Sequence, residues 1–207
     1  MTVNINHCIK LIERELTPKR FEHSLGVMNV MGELAAIHEL DETTALMCGI
    51  LHDVAKEFTL ERQLEIARNY NIQLVTEYDR HPLFLHGAVG ACYIADELGI
   101  TNSILLDAIV HHSYSGNGDA LSPLLCWCLR FADILEPSRD WEDIKTQLKP
   151  VVYSGNIQQG AYLLMQWAIS FHESTSVPVH PNMRRVFQEL CFLQSEKDVC
   201  DINNLPV

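Results

Sequence analysis

The 207-residue chain is predicted to fold as an all-α protein, a single compact helical bundle. Apolar residues recur at spacings of three and four along almost its whole length, and strict alternation is scarce. Helix-start signals stand in front of several of these stretches. No repeat, low-complexity tract or linker divides the chain, and its length lies within the range of one domain able to bury a core without disulfides.

Each element has a local reason. Thr17 before Pro18 reads as a cap and first helical residue, opening a helix to about Leu40. Asp41 caps "ETTALMCGILHD", and Thr59 caps "LERQLEIARNY". Further helices are expected over "LHGAVGACYIADEL", "NSILLDAIVHH" and "PLLCWCLRFADIL", where Ser122 and Pro123 repeat the cap-plus-proline signal. The last third adds "WEDIKTQL", "IQQGAYLLMQWAISFHE" and "PNMRRVFQELCFLQ". Residues 1–17 are expected as an N-terminal helix packed on a domain spanning 18–195, with 196–207 a tail that frays. Two loops, "HSYSGNGDALS" and "STSVPVHPN", are candidate walls or lids of a site.

Composition excludes several functions. No apolar run approaches the length of a membrane span, and the opening residues lack the pattern of a secretory signal, so a cytoplasmic protein is expected. The seven cysteines are scattered without a C-x-x-C pair and read as reduced, mostly buried thiols. A net charge of −12 argues against nucleic acid or anionic membrane as a partner, while leaving room for a small anion in a local basic pocket.

Histidine and aspartate recur at the apolar ends of separate helices. His23 lies beside Phe21, Leu25 and Val27; His52 and Asp53 end the third helix; Asp133 sits among Phe131, Ala132, Ile134 and Leu135. Burying carboxylates without compensation costs several kcal/mol each, and a divalent cation offsets that cost. Mixed nitrogen and oxygen donors suit iron, manganese, cobalt or zinc. His86 and His112, also at helix ends, are placed to serve a second metal or to contact substrate, and His111 is the weaker member of its pair.

The ordered set His23, then "HD" at 52–53, then Asp133, resembles the H…HD…D signature of the HD-domain metal-dependent phosphohydrolases. "RFEHSLGV", "LHDVAKEF", "HGAVGA", "AIVHHSYSG" and "RFADILEPSR" are similar to successive motifs of the YqeK-type symmetrical diadenosine tetraphosphate hydrolases, over roughly residues 18–190. A longer loop after His112 and an additional C-terminal tail depart from that pattern. The resemblance implies hydrolysis of a dinucleoside polyphosphate, such as diadenosine tetraphosphate to two ADP, by a metal-activated water. It implies that His23, His52, Asp53 and Asp133 hold a metal, most commonly iron, with His23 and Asp133 also reaching substrate. Arg20, Lys56, His86, His112 and Arg139 would surround the phosphates, and Asp53, Lys56, His86 and His112 would act in catalysis. A homodimer is compatible with this reading. The alternatives are an HD phosphohydrolase of another nucleotide or a non-catalytic nucleotide-binding helical module.

Overall fold

The computed structural model describes residues 4–114 and 123–203, with side chains as far as residue 195. Among the described residues there are α-helices, one 3-10 turn and no strand. The helices are α1 (Ile5–Glu15), α2 (Pro18–Ile37), α3 (Glu42–Leu51), α4 (Leu60–Asn69), α5 (Pro82–Leu98), α6 (Ser103–His111), α7 (Leu124–Leu135), α8 (Glu142–Tyr153), α9 (Ile157–Ser174) and α10 (Pro181–Asn203). None of the described helices is long and apolar enough to cross a membrane.

Two helices form the centre. In α3, Ala45 and the run from Met47 to Leu51 are buried; in α7, every residue from Leu125 to Ala132 is buried. A helix apolar on all sides can persist only inside other helices. Here α2 lies along both, α1 closes the α3 side, α6 bridges them, and α8 and α9 cover α7. Fully buried Ile50, Leu51 and Leu129 each contribute about 1.5–3 kcal/mol by leaving water. The hydrophobic demand of α3 and α7 therefore fixes where their carboxyl ends lie, and both ends open on the same site.

The caps differ from expectation in two places. Thr17 holds the N-cap position of α2, but its side chain makes no cap bond. Its backbone N–H and hydroxyl instead donate to Glu57 at 2.7 and 2.9 Å, so the turn after α3 holds the start of α2. Pro123 is itself the N-cap of α7, with the helix beginning at Leu124. Asp41 and Thr59 cap as expected, accepting from Thr44 and Arg62. The helix beginning near Trp141 runs on through Pro150 to Tyr153. α10 buries Met183, Val186 and Leu190 at the expected spacing, and its backbone stays helical past Glu196 to Asn203. The 3-10 turn Tyr78–Arg80 carries no apolar periodicity that would reveal it.

Beyond Leu51 the chain tightens. Val54, Lys56 and Phe58 N–H groups donate to the carbonyls of Leu51, Asp53 and Ala55 at 3.1, 2.9 and 3.2 Å, each three residues back. Side chains three apart then eclipse one another, which sets Lys56 beside Asp53.

α5 and α6 approach closely at Gly87. A Cβ there would lie 2.6 Å from the Ile109 carbonyl oxygen and 2.8 Å from that of Val110, both backbone atoms unable to swing aside. Gly87→Ala is expected to force the helices apart and to lower the urea midpoint by the equivalent of about 1–3 kcal/mol. An unchanged midpoint would show that the crossing is looser than described.

Candidate metal and phosphate site

Five segments deliver the polar groups. α2 brings Arg20 and His23, one turn apart on one face. The turn after α3 brings His52, Asp53 and Lys56; α5 brings His86; the end of α6 brings His112; α7 and the chain after it bring Asp133, Glu136 and Arg139. His23, His52, Asp53, His86 and His112 are buried.

The histidines share one arrangement. Nδ1 of His52 meets the Gly49 carbonyl at 2.8 Å, that of His86 the Pro82 carbonyl at 3.2 Å, and that of His112 the Ile109 carbonyl at 2.7 Å. A carbonyl only accepts, so in each neutral ring the proton sits on Nδ1 and Nε2 keeps a bare lone pair. His23 is held likewise, with Nδ1 2.9 Å from Glu136 Oε1. The free ends converge on Asp53. Its Oδ1 lies 3.1 Å from His86 Nε2 and 3.5 Å from His112 Nε2; its Oδ2 lies 3.6 Å from His52 Nε2 and 3.8 Å from His23 Nε2.

Lone pairs and a carboxylate meeting in a buried space repel unless something positive lies among them. The Nε2 atoms of His86 and His112 are 3.0 Å apart, and His52 Nε2 and Asp53 Oδ1 have no hydrogen-bond partner. Such orphaned atoms are costly in a protein interior, and a metal ion would satisfy them. Donors within 4.8 Å of one another form two groups, His23–His52–Asp53 and Asp53–His86–His112, both sharing Asp53. The residues therefore fit a divalent ion, with mixed imidazole and carboxylate donors suited to borderline first-row metals.

Charge is partly balanced by the protein itself. Arg20 donates to Asp53 Oδ2 at 3.0 Å, and Lys56 Nζ lies 3.7 Å from Oδ1 and 3.3 Å from His86 Nε2. Burial pushes Asp53 up, but the Lys56 charge holds it well below the usual carboxylate range. Burial takes His52 down to about 4; for His86, burial with the Lys56 charge takes the ring down to about 3. Both rings are neutral at neutral pH, so a cation entering there displaces no proton from them. Asp133 is joined to the cluster through His23 Nε2 at 3.1 Å and accepts from Arg139 at 2.6 Å. Burial raises its pKa as well, and the Arg139 charge overrides that to leave it ionised.

Arg20, His23, His52, Asp53, Lys56, His86, His112, Asp133 and Arg139, all singled out from the sequence, meet here. His111 is turned away: its ring packs edge-on to Tyr114 at 5.8 Å, while His112 faces the cluster. In the loop 174–182, Val177 lines the neighbouring cavity, whereas residues 115–122 of the other candidate wall lie outside the described residues. Sequence reasoning missed Glu136. It is buried, holds His23 Nδ1, and is itself held by the Ser138 N–H and hydroxyl at 2.7 and 2.6 Å. Gly26 makes room for it, since a Cβ there would come within 2.7 Å of Glu136 Oε2. Arg130 was missed too; it is buried against Met165 Sδ at 3.0 Å and Trp127, and lines the same cavity as Val177.

A carboxylate behind a ligating imidazole fixes its orientation and raises its basicity. Glu136→Gln is expected to weaken metal retention roughly 10- to 100-fold with the helical signal unchanged. Competition against a graded series of chelators checks this, and retention equal to the parent would remove Glu136 from the site.

Comparison with known proteins follows the same residues. The family model described as "HD domain" matches residues 20–138, from Arg20 to the serine that holds Glu136. The chain is 27% identical over 196 residues to "Bis(5'-nucleosyl)-tetraphosphatase, symmetrical" of Halalkalibacterium halodurans, covering 93% of this chain and 100% of that protein. It is 30% identical to the protein of the same name in Bacillus subtilis, over 66% of this chain and 72% of the relative. Among solved structures, "predicted HD superfamily hydrolase involved in NAD metabolism" from Clostridium acetobutylicum superposes with a TM-score of 0.83 at 26% identity, covering 92% of this chain and 98% of that one. With the matched segment spanning more than half of its length and enclosing the whole cluster, the chain belongs to the HD domain family.

Proposed function

We propose that the protein is a metal-dependent hydrolase that splits dinucleoside tetraphosphates symmetrically, taking diadenosine tetraphosphate to two ADP. The observation that carries this reading is the convergence of four pinned imidazoles on Asp53 beside Arg20, Lys56 and Arg139. The names of the full-length relatives supply the substrate. His23, His52, Asp53 and Asp133 are the ligands of the principal metal, and His86 and His112 with Asp53 offer a second position. Iron is the proposed native ion, supported by the mixed donor set and by the resemblance to this group of hydrolases.

A divalent ion held there supplies Lewis acidity and lowers the pKa of a water toward neutrality. The protein does the rest by placement. Asp53, anchored by Arg20, accepts a hydrogen bond from the attacking water and orients it. Where the second position is not filled, the bare Nε2 of His112 takes the water's proton, the Nδ1–H bond to the Ile109 carbonyl holding the ring in line, whereas burial leaves His86 too weak a base for that step. Arg20, Lys56 and Arg139 donate to the non-bridging oxygens of the phosphate chain, whose charge exceeds what the metal centre alone neutralises. An acidic chain of net charge −12 thus reserves a basic patch for a small polyanion, consistent with a cytoplasmic enzyme that does not bind nucleic acid. A homodimer is compatible with this chemistry and is not required by it.

Lys56→Ala should lower turnover of diadenosine tetraphosphate about 10²- to 10³-fold with metal content unchanged. Asp53→Ala should remove both metal and turnover while leaving the helical signal in place. Chromatography of the products decides the bond cleaved: ADP alone supports the reading, ATP with AMP places attack elsewhere, and rapid hydrolysis of a mononucleotide instead points to another nucleotide substrate.

A further inference from the structure

Two cavities of similar size, about 260 and 330 Å³, flank the cluster and share Arg20, Arg139 and Trp141 as their common wall. Their room is alike and their chemistry is not. The first is lined mainly by apolar side chains, including Leu83, Leu164, Trp167, Phe171 and Met183, with Arg130 and His172 among them, and opens toward Lys56, His112 and Asp133. Its aromatic rings form one group: Trp167 stacks on Phe171 at 5.1 Å and 18°, and Trp141 meets Trp167 at 5.0 Å. The second is lined by Thr17, Lys19, Glu57, Ser138 and Asp140, and reaches the cluster at His23. Trp141 is the aromatic residue on its wall, and the Arg139 guanidinium lies over that ring at 4.6 Å.

We propose that the two halves of a dinucleoside tetraphosphate occupy unlike chambers, one base stacked in the aromatic cavity and the other lying in the polar cavity, where the face of Trp141 is already covered by the Arg139 guanidinium. Arg20 and Arg139, facing both cavities, then carry the phosphate chain across the metal centre. The polar half recognises phosphate and leaves its nucleoside almost unread. A nucleoside 5′-tetraphosphate lacking the second nucleoside should therefore also be a substrate. Water adds its oxygen to one phosphorus of the central anhydride, the bridging P–O bond breaks, and the water's protons pass to the base and solvent, giving a nucleoside diphosphate and pyrophosphate. This rests on the proposed hydrolase activity and adds to it which half is selected.

The test compares diadenosine tetraphosphate with adenosine 5′-tetraphosphate on the metal-loaded, full-length protein. Stacking of a base on an aromatic side chain is worth about 1–3 kcal/mol, or roughly 5- to 150-fold. The expected result is that adenosine tetraphosphate yields ADP and pyrophosphate with kcat/KM within tenfold of the dinucleotide. Trp167→Ala should raise KM for both substrates by the same factor in that range, with kcat held within threefold. Trp167→Phe should restore most of the loss. Trp167→Leu, which keeps carbon volume and removes the aromatic face, serves where the alanine variant does not fold. If the dinucleotide is cleaved and adenosine tetraphosphate is more than tenfold poorer, or if the Trp167 variants raise KM less than fivefold, the unlike-chamber assignment falls while the hydrolase reading stands. Cleavage of neither substrate overturns both.

Discussion

The structure turns on one buried carboxylate. Asp53 is 2% exposed, and around it lie Arg20, Lys56 and the Nε2 atoms of four histidines. An isolated carboxylate in such a place would protonate or unfold its surroundings. Keeping it ionised needs positive charge from several directions, and one helix cannot supply that. The bundle therefore brings Arg20 of α2 to the end of α3, where Lys56 stands, with Asp133 arriving from α7. The imidazoles of α5 and α6 turn lone pairs toward the same carboxylate as donors for a cation. The close crossing at Gly87 and the Glu57 clasp on the start of α2 are the packing consequences.

The rings are oriented by the ends of the helices that carry them. A helix leaves its last carbonyls without intrahelical donors. His52 and His112 stand just past α3 and α6 and donate back to carbonyls three residues earlier, Gly49 and Ile109. The same bond closes the helix and fixes the tautomer. His86 lies inside α5 and uses the Pro82 carbonyl four residues back. Helix termination and ligand orientation are thus one interaction.

How much of this is legible in the sequence depends on the range of the interaction. The helices follow from apolar spacing and from Asp41 and Thr59, whose effects are local. The histidines and aspartates are legible because charged or ring groups inside apolar runs demand explanation, and their order supplies one. Glu136 is not: in "ILEPSR" it sits before a proline where a helix ends, and nothing local says that it turns inward to His23, 113 residues away. Glu57 looks like a solvated charge for the same reason, although it replaces the cap that Thr17 was expected to make. Pro123 capping α7 in place of Ser122 is a one-residue shift of a kind spacing does not resolve. The contrast between the two cavities arises from α9 meeting Trp141 and is invisible until the chain has folded.

The span between partners also bears on how the chain matures. Arg20 reaches Asp53 across 33 residues, His86 reaches His112 across 26, and His23 reaches Glu136 across 113. Closing such loops is the slow part of building a bundle, and each contact is rewarded only after its loop is closed. A ribosome-bound fragment ending before α7 carries His23, His52 and Asp53 but has neither Asp133 nor the carboxylate that aligns His23. The complete cluster, with Asp133 present and the Glu136 carboxylate behind His23, therefore exists only once α7 has docked, at the end of folding.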